Sequence, residues 1–284
     1  RDLRMSRGLG DVYKRQNERI FKMLTDFHTH IFPDKIADKT IKLLESNIKE
    51  EYRPHKAELR GTLDALKQSM RENNVDISLV LPIATNVKQS TTINNFAASI
   101  NGIDGIYSLG SLHPMQSDWE SVLYDIKEKG LKGIKLHPEY QQFYIDSKES
   151  IQILKKSEEL DLITVLHSGK DIGIDPPVHC TPERLSHVLD YVKGDKIVAA
   201  HLGGWKLWDD VEKYLVGTPI YFDTAFTLNF ITDEQLLRII KNHGSEKILH
   251  ATDSPWEKQG QMAKHLSALP LSEEDCCLLY TSPS

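Results

Sequence analysis

Apolar residues fall into short runs along the chain, separated by longer stretches with helical spacing. The strand-like runs lie at residues 23–28, 76–82, 106–112, 133–137, 162–167, 196–201, 220–223 and 247–253. Between them apolar positions recur every three or four residues, as at Ile36, Ile41 and Leu44, or Val122, Leu123 and Ile126. Gly130, Gly194 and Gly244 each stand between a helical stretch and the next strand, where a helix-ending glycine belongs. Strands buried on both faces and separated by helices predict a parallel sheet. Eight such units predict an α/β fold closed into a (β/α)8 TIM barrel, with a doubly wound open sheet as the alternative.

The first connection, residues 31–75, is the longest. It holds two helical stretches, 34–46 and 62–72, around a charged middle at residues 50–56. Loops of that length in a compact domain are usually functional, so this one is expected to cap the barrel mouth.

Composition narrows the class. The chain has 284 residues, 39% of them hydrophobic and 27% charged, with a formal charge of −6. Those values suit one globular domain acting on a small molecule, and the mild acidity argues against a nucleic-acid partner. The longest apolar runs, such as Ile77-Ser78-Leu79-Val80-Leu81, are strand-sized, so no membrane span is expected. Cys180, Cys276 and Cys277 form no CxxC pair or disulfide framework, which fits a cytoplasmic location. Both ends read as foreign. Asp11-Val12-Tyr13-Lys14-Arg15-Gln16 and Cys277-Leu278-Leu279-Tyr280-Thr281-Ser282-Pro283-Ser284 resemble translated sequencing-adapter sequence. Residues 1–16 and 276–284 are therefore expected to be non-native, leaving 17–275 as the domain with its final helix truncated.

Twelve histidines carry the candidate chemistry, and their placement matters more than their number. His28 and His30 close the first strand, His137 the fourth, His167 the fifth and His201 the sixth, while Asp253 closes the eighth. In a barrel all these strand ends share one rim, where active sites are built. Positions two apart on a strand face the same way, so His28 and His30 can aim at one ion. An isolated His-x-His is usually incidental, and Asp253 alone could be a helix cap. Their recurrence at matching strand ends is what turns them into candidate ligands for zinc or a related divalent ion.

Several segments carry a resemblance: Thr25-Asp26-Phe27-His28-Thr29-His30-Ile31-Phe32-Pro33, Gly133-Ile134-Lys135-Leu136-His137-Pro138, Leu166-His167-Ser168-Gly169, Ala200-His201-Leu202-Gly203-Gly204 and Ala251-Thr252-Asp253-Ser254-Pro255-Trp256. In this order they resemble the amidohydrolase superfamily, and within it the amidohydrolase-related branch of aminocarboxymuconate-semialdehyde decarboxylase-like proteins. The resemblance implies His28, His30, His167 and Asp253 as metal ligands and His201 as an acid/base group. It implies one Zn2+, with Mn2+, or two metals bridged by a carboxylated Lys135, as alternatives. Lys135 could instead bind a substrate carboxylate or pair with Asp26 or Asp223. Further substrate-facing candidates are His137, Tyr140, Arg60, His179 and Trp256. Cys180 has no activating partner in the sequence and reads as a packed thiol.

The leading expectation is a hydrolase in which metal-activated water attacks an ester, amide or lactone carbonyl, with Asp253 and His201 as acid/base groups. The alternative is a metal-dependent non-oxidative decarboxylase of a small carboxylic acid, with Arg60, Lys135, Lys170 or Lys206 as the cation for the carboxylate. A non-catalytic metal-binding barrel is a third reading. Barrels of this type often pair, which leaves a homodimer open.

Overall fold

A computed structural model describes residues 23–280. Its first half contains β1 (Thr25–Thr29), α1 (Asp34–Asn47), α2 (Leu63–Asn73), β2 (Ile77–Val80), α3 (Ser90–Ile100), β3 (Ile106–Ser108), β4 (Gly110–Ser111) and α4 (Trp119–Glu128). The second continues with β5 (Gly133–Leu136), the short α5 (Pro138–Gln141), α6 (Lys148–Glu159), β6 (Ile163–Leu166), α7 (Pro182–Val188), β7 (Ile197–Ala199), α8 (Trp208–Tyr214) and β8 (Tyr221–Asp223). It closes with α9 (Asp233–His243), β9 (Ile248–Leu249), α10 (Gln259–Ala268) and α11 (Glu273–Tyr280).

Every strand pairing is parallel and follows chain order, β1-β2-β3 and β4-β5-β6-β7-β8-β9. Strands β3 and β4 are two pieces of the third predicted strand, and Leu109 N–H donates to Val80 O (3.0 Å) across the break.

 The eighth predicted strand is regular only at Ile248–Leu249, after which residues 250–254 close the barrel against β1. Phe27 N–H donates to His250 O (2.9 Å), Asp253 N–H to His28 O (2.9 Å) and His30 N–H to Ser254 O (2.5 Å). The result is the predicted closed (β/α)8 barrel.

Two apolar layers hold it together. Phe27, Leu81, Leu109, Val165, Val198, Ala225, Leu249 and Ala251 fill the barrel interior, drawn from nearly every strand. A larger layer lies between strands and helices, with Ile134, Ile153, Leu185, Ile197, Phe222 and Ile239 among its members. The helix signals read from the sequence recur in three dimensions. Thr62, Ser147, Thr181 and Thr232 cap α2, α6, α7 and α9 with their side chains. Gly130, Gly194 and Gly244 sit at φ +75°, +84° and +102°, in the region where a Cβ is strained.

At the C-terminal end, α11 packs on the barrel seam. Leu279 and Tyr280 are buried, Leu279 O accepts from His250 N–H (2.9 Å), and Tyr280 Oη donates to Ala263 O (2.8 Å). Residues 276–280 of the suspected tail thus take part in the fold, while 1–16 and 281–284 lie outside the described residues.

His243, at the end of α9, shows how the fold selects a protonation state. Its Nε2 donates to Ile220 O (2.8 Å), its Nδ1 accepts from Gly217 N–H (3.1 Å), and its ring stacks on Phe222 at 3.9 Å. Burial pushes its pKa from 6.5 down to about 4. Because the folded value is depressed, the associated stability is complete above pH 6.5 and is lost as pH falls toward 4. The loss attributable to this side chain is about 3 kcal/mol. Denaturant unfolding at the two pH values should therefore show a pH dependence smaller by about that amount in His243→Asn than in wild type. Identical pH dependence in the two proteins would refute the assignment.

Candidate metal centre and active-site cavity

The strand ends bring the candidate residues to one rim. His28 and His30 come from β1 and its exit, His137 follows β5, His167 follows β6, and His201 follows β7. Asp223 ends β8, and Asp253 follows β9. His201 and Asp253 both adopt left-handed backbone, at φ +59° and +64°. Such conformations cost non-glycine residues roughly 1–3 kcal/mol and persist only where the surroundings enforce them. Here Asp223 Oδ1 accepts from His201 N–H (2.9 Å), and His28 O accepts from Asp253 N–H (2.9 Å).

Three donor atoms converge. His28 Nε2 and His30 Nε2 stand 3.1 Å apart, and Asp253 Oδ1 lies 3.3 Å from the first and 3.0 Å from the second. The remaining ring nitrogens fix the tautomers. His28 Nδ1 donates to Asp223 Oδ2 (2.8 Å), and His30 Nδ1 donates to Leu81 O (2.7 Å). Burial, reinforced by Lys135, holds His28 neutral by pushing its pKa well below the usual value. With both Nδ1 atoms donating, the two Nε2 atoms are left facing each other and a carboxylate, an arrangement that a shared cation would satisfy. Donors about 2.1 Å from one ion are about 3 Å apart when they subtend a near-right angle, so the spacing also fits a divalent metal. Burial opposes ionisation of Asp253, but the neighbouring histidines His28 and His30 prevail and hold its pKa at about 2.

His167 stands one ring away from these three. Its Nδ1 donates to His201 Nε2 (3.0 Å), whose own Nδ1 donates to Ala225 O (2.9 Å). His167 Nε2 is buried with no hydrogen-bond partner, which leaves its lone pair available to a ligand. Of the four ligands expected from the sequence, His28, His30 and Asp253 meet directly, and His167 joins them only through His201. His137, His167 and Asp171 form a second close group. There, however, His137 Nδ1 accepts from Tyr140 N–H (3.2 Å), so a neutral His137 carries its proton on Nε2, facing Asp171 Oδ2 at 3.6 Å. That proton occupies the position a metal would need.

The rim opens into a cavity of about 480 Å3. Its floor is the metal-donor group with Lys135, whose Nζ is 3.3 Å from His28 Nε2. Burial lowers the Lys135 pKa to about 8, against the pull of Asp223 and Asp253. His137, Tyr140, Lys170, Asp171 and Trp256 also line the cavity. The long first connection does cap the mouth, through Phe32, Ile36, Leu44 and Ile48. Arg60 does not reach it: its guanidinium grips Asp38 at 2.7 and 2.9 Å on the surface. His179 is also turned aside, because its Nδ1 and its backbone N–H both bind Glu139. Lys206 instead lies over the rings of Trp205 and Phe230.

Sequence reading missed Asp171, which with Asp253 makes up the carboxylates lining the cavity among the described residues. Burial raises its pKa to about 6. It reaches the cavity because Gly169, at φ +87°, lets its loop lie against the Trp205 backbone, where a Cβ would collide. The only signal was its place four residues after His167. Asp223 was visible as a strand-end acid, but its task of orienting His28 depends on contacts across the barrel.

Comparison with known proteins agrees with the barrel fold. The chain resembles the 5-carboxyvanillate decarboxylase of Sphingomonas paucimobilis at 14% identity and TM-score 0.63, over 91% of this chain and 96% of that one. It resembles the 2,6-dihydroxybenzoate decarboxylase of Rhizobium at 14% identity and TM-score 0.65, over 92% and 96%. An uncharacterised TIM-barrel protein of Bordetella bronchiseptica gives TM-score 0.70 at 12% identity, over 92% and 96%. No curated protein sequence matches the chain. The amidohydrolase family pattern matches residues 25–276, nearly the whole of the barrel. The chain belongs to the amidohydrolase family.

Proposed function

We propose that this protein is a metal-dependent, non-oxidative decarboxylase of a small carboxylic acid. The observation that carries the reading is Lys135, a buried cation 3.3 Å from His28 Nε2 on the floor of the cavity. An ammonium beside a metal-donor set suits a substrate that brings its own carboxylate. The solved structures similar in fold add support, since several are decarboxylases of aromatic acids, including ones with bound manganese. Hydrolysis of an ester, amide or lactone would use the same donors but gives Lys135 no comparable task.

A divalent ion bound by His28, His30 and Asp253, Mn2+ or Zn2+, would supply positive charge to fix a substrate oxygen and offset the charge formed as CO2 leaves. The chain's own residues provide the rest. Lys135 holds the carboxylate, and the surrounding apolar wall excludes water. As the carbon–carbon bond breaks, its electron pair stays on the carbon that loses CO2. A proton taken up from solvent at His201 Nε2, the atom that otherwise accepts from His167 Nδ1, then takes the place of the carboxylate. Burial holds the His201 pKa below the usual histidine value despite Asp253 and Asp223, so the ring rests neutral and carries that proton only in passing, while Ala225 O holds its Nδ1.

Two measurements test this reading. Asp223→Asn removes the carboxylate that orients His28, so Mn2+ should bind about 10- to 100-fold more weakly by calorimetry. His30→Ala should lose stoichiometric metal altogether. Unchanged affinity in both variants would contradict the assigned centre. In the second experiment, Mn2+-loaded protein is offered 2,6-dihydroxybenzoate, 5-carboxyvanillate and related acids, with a parallel panel of lactones and esters. CO2 release that falls about tenfold or more in Lys135→Met is the expected result. Proton release from the lactones or esters with no CO2 from any acid would overturn it.

A further inference from the structure

The cavity has a second part that the chemistry described above does not use. On α1, Ala37 and Ile41 form the buried stripe that packs on the barrel. Beside it, Ile36, Thr40 and Leu44 follow one another at four-residue spacing and face the cavity. Across from them Ile93 and Phe96 of α3 line the same space, so two helices present apolar stripes to one groove. Ile36 is 48% exposed, which is costly for a side chain with no partner. An apolar groove of this kind marks a binding surface more often than an accident of packing. This one runs without interruption into the floor that carries Lys135, and the whole cavity, about 480 Å3, falls within the roughly 300–1,000 Å3 range of drug-sized ligand sites.

The geometry points to an amphiphilic acid as the ligand, its carboxylate at Lys135 and a hydrocarbon portion lying between α1 and α3. This rests on the decarboxylase reading only for the carboxylate anchor. Continuity of the groove with the cationic floor, together with the charge it offers to an acid, selects a substrate over a second copy of the chain as its occupant.

The test is calorimetric titration of Mn2+-loaded protein with butyrate, hexanoate and octanoate. Each added methylene should tighten binding about two- to fourfold, so octanoate, with four more than butyrate, should exceed it by about 16-fold or more. Ile36→Asn and Leu44→Asn, which remove apolar surface without adding charge, should flatten the series. Ile36 is exposed enough for its replacement to leave the core intact. A flat series in wild type overturns the proposal. A flat series in a wild-type dimer that Ile36→Asn splits, by sedimentation, assigns the groove to a second copy instead. Binding of 1-octanol as tight as octanoate removes the acid anchor while keeping the groove, which separates a failure of the decarboxylase reading from a failure of this one.

Discussion

Two imidazoles face each other at the mouth of this barrel with their Nε2 atoms 3.1 Å apart, and a carboxylate completes the group. The fold commits several further contacts to holding these three atoms together. Asp223 and Leu81 O take the Nδ1 protons of His28 and His30, so neither ring can turn a donor toward the other. Asp253 is held in left-handed backbone by His28 O. The surrounding geometry makes sense once these atoms share one divalent ion.

The seam of the barrel supplies the rigidity. Asp26 is fully buried between β1 and the closing segment, where it accepts from His28 N–H (3.3 Å), Thr252 N–H (3.0 Å), Thr252 Oγ1 (2.6 Å) and Gln259 Nε2 (3.0 Å). Gln259 also reaches Ser78 Oγ at 2.9 Å, tying α10 to β2. His28 and Asp253 are therefore flanked by one hydrogen-bond network, although they lie at opposite ends of the sequence. The helix α11, through Leu279 and Tyr280, covers the same seam from outside.

Most of the architecture was legible because it depends on local signals. Apolar runs, caps such as Thr62 and Thr181, and glycines such as Gly130 fixed where strands and helices alternate. The meeting of His28, His30 and Asp253 was legible for a related reason, since strand ends in a barrel share one rim, whereas His167 of the same expected set stands one ring away. What was not legible depends on direction. Arg60 is close in sequence to the mouth, yet its pairing with Asp38 turns it outward, and Glu139 captures His179 in the same way. Asp171 reaches the cavity through a loop conformation that only a glycine permits, and no periodicity predicts that. The interruption of the third strand at Leu109 and the shortness of β9 leave no mark in the apolar runs, which continue through both.

The central claim is that one ion sits among His28, His30 and Asp253. Anomalous scattering from a crystal soaked in Mn2+ addresses it directly. The account predicts a single strong peak about 2.0–2.2 Å from His28 Nε2, His30 Nε2 and an Asp253 carboxylate oxygen. A peak between His137 and Asp171 with none at the His28–His30 pair would contradict it.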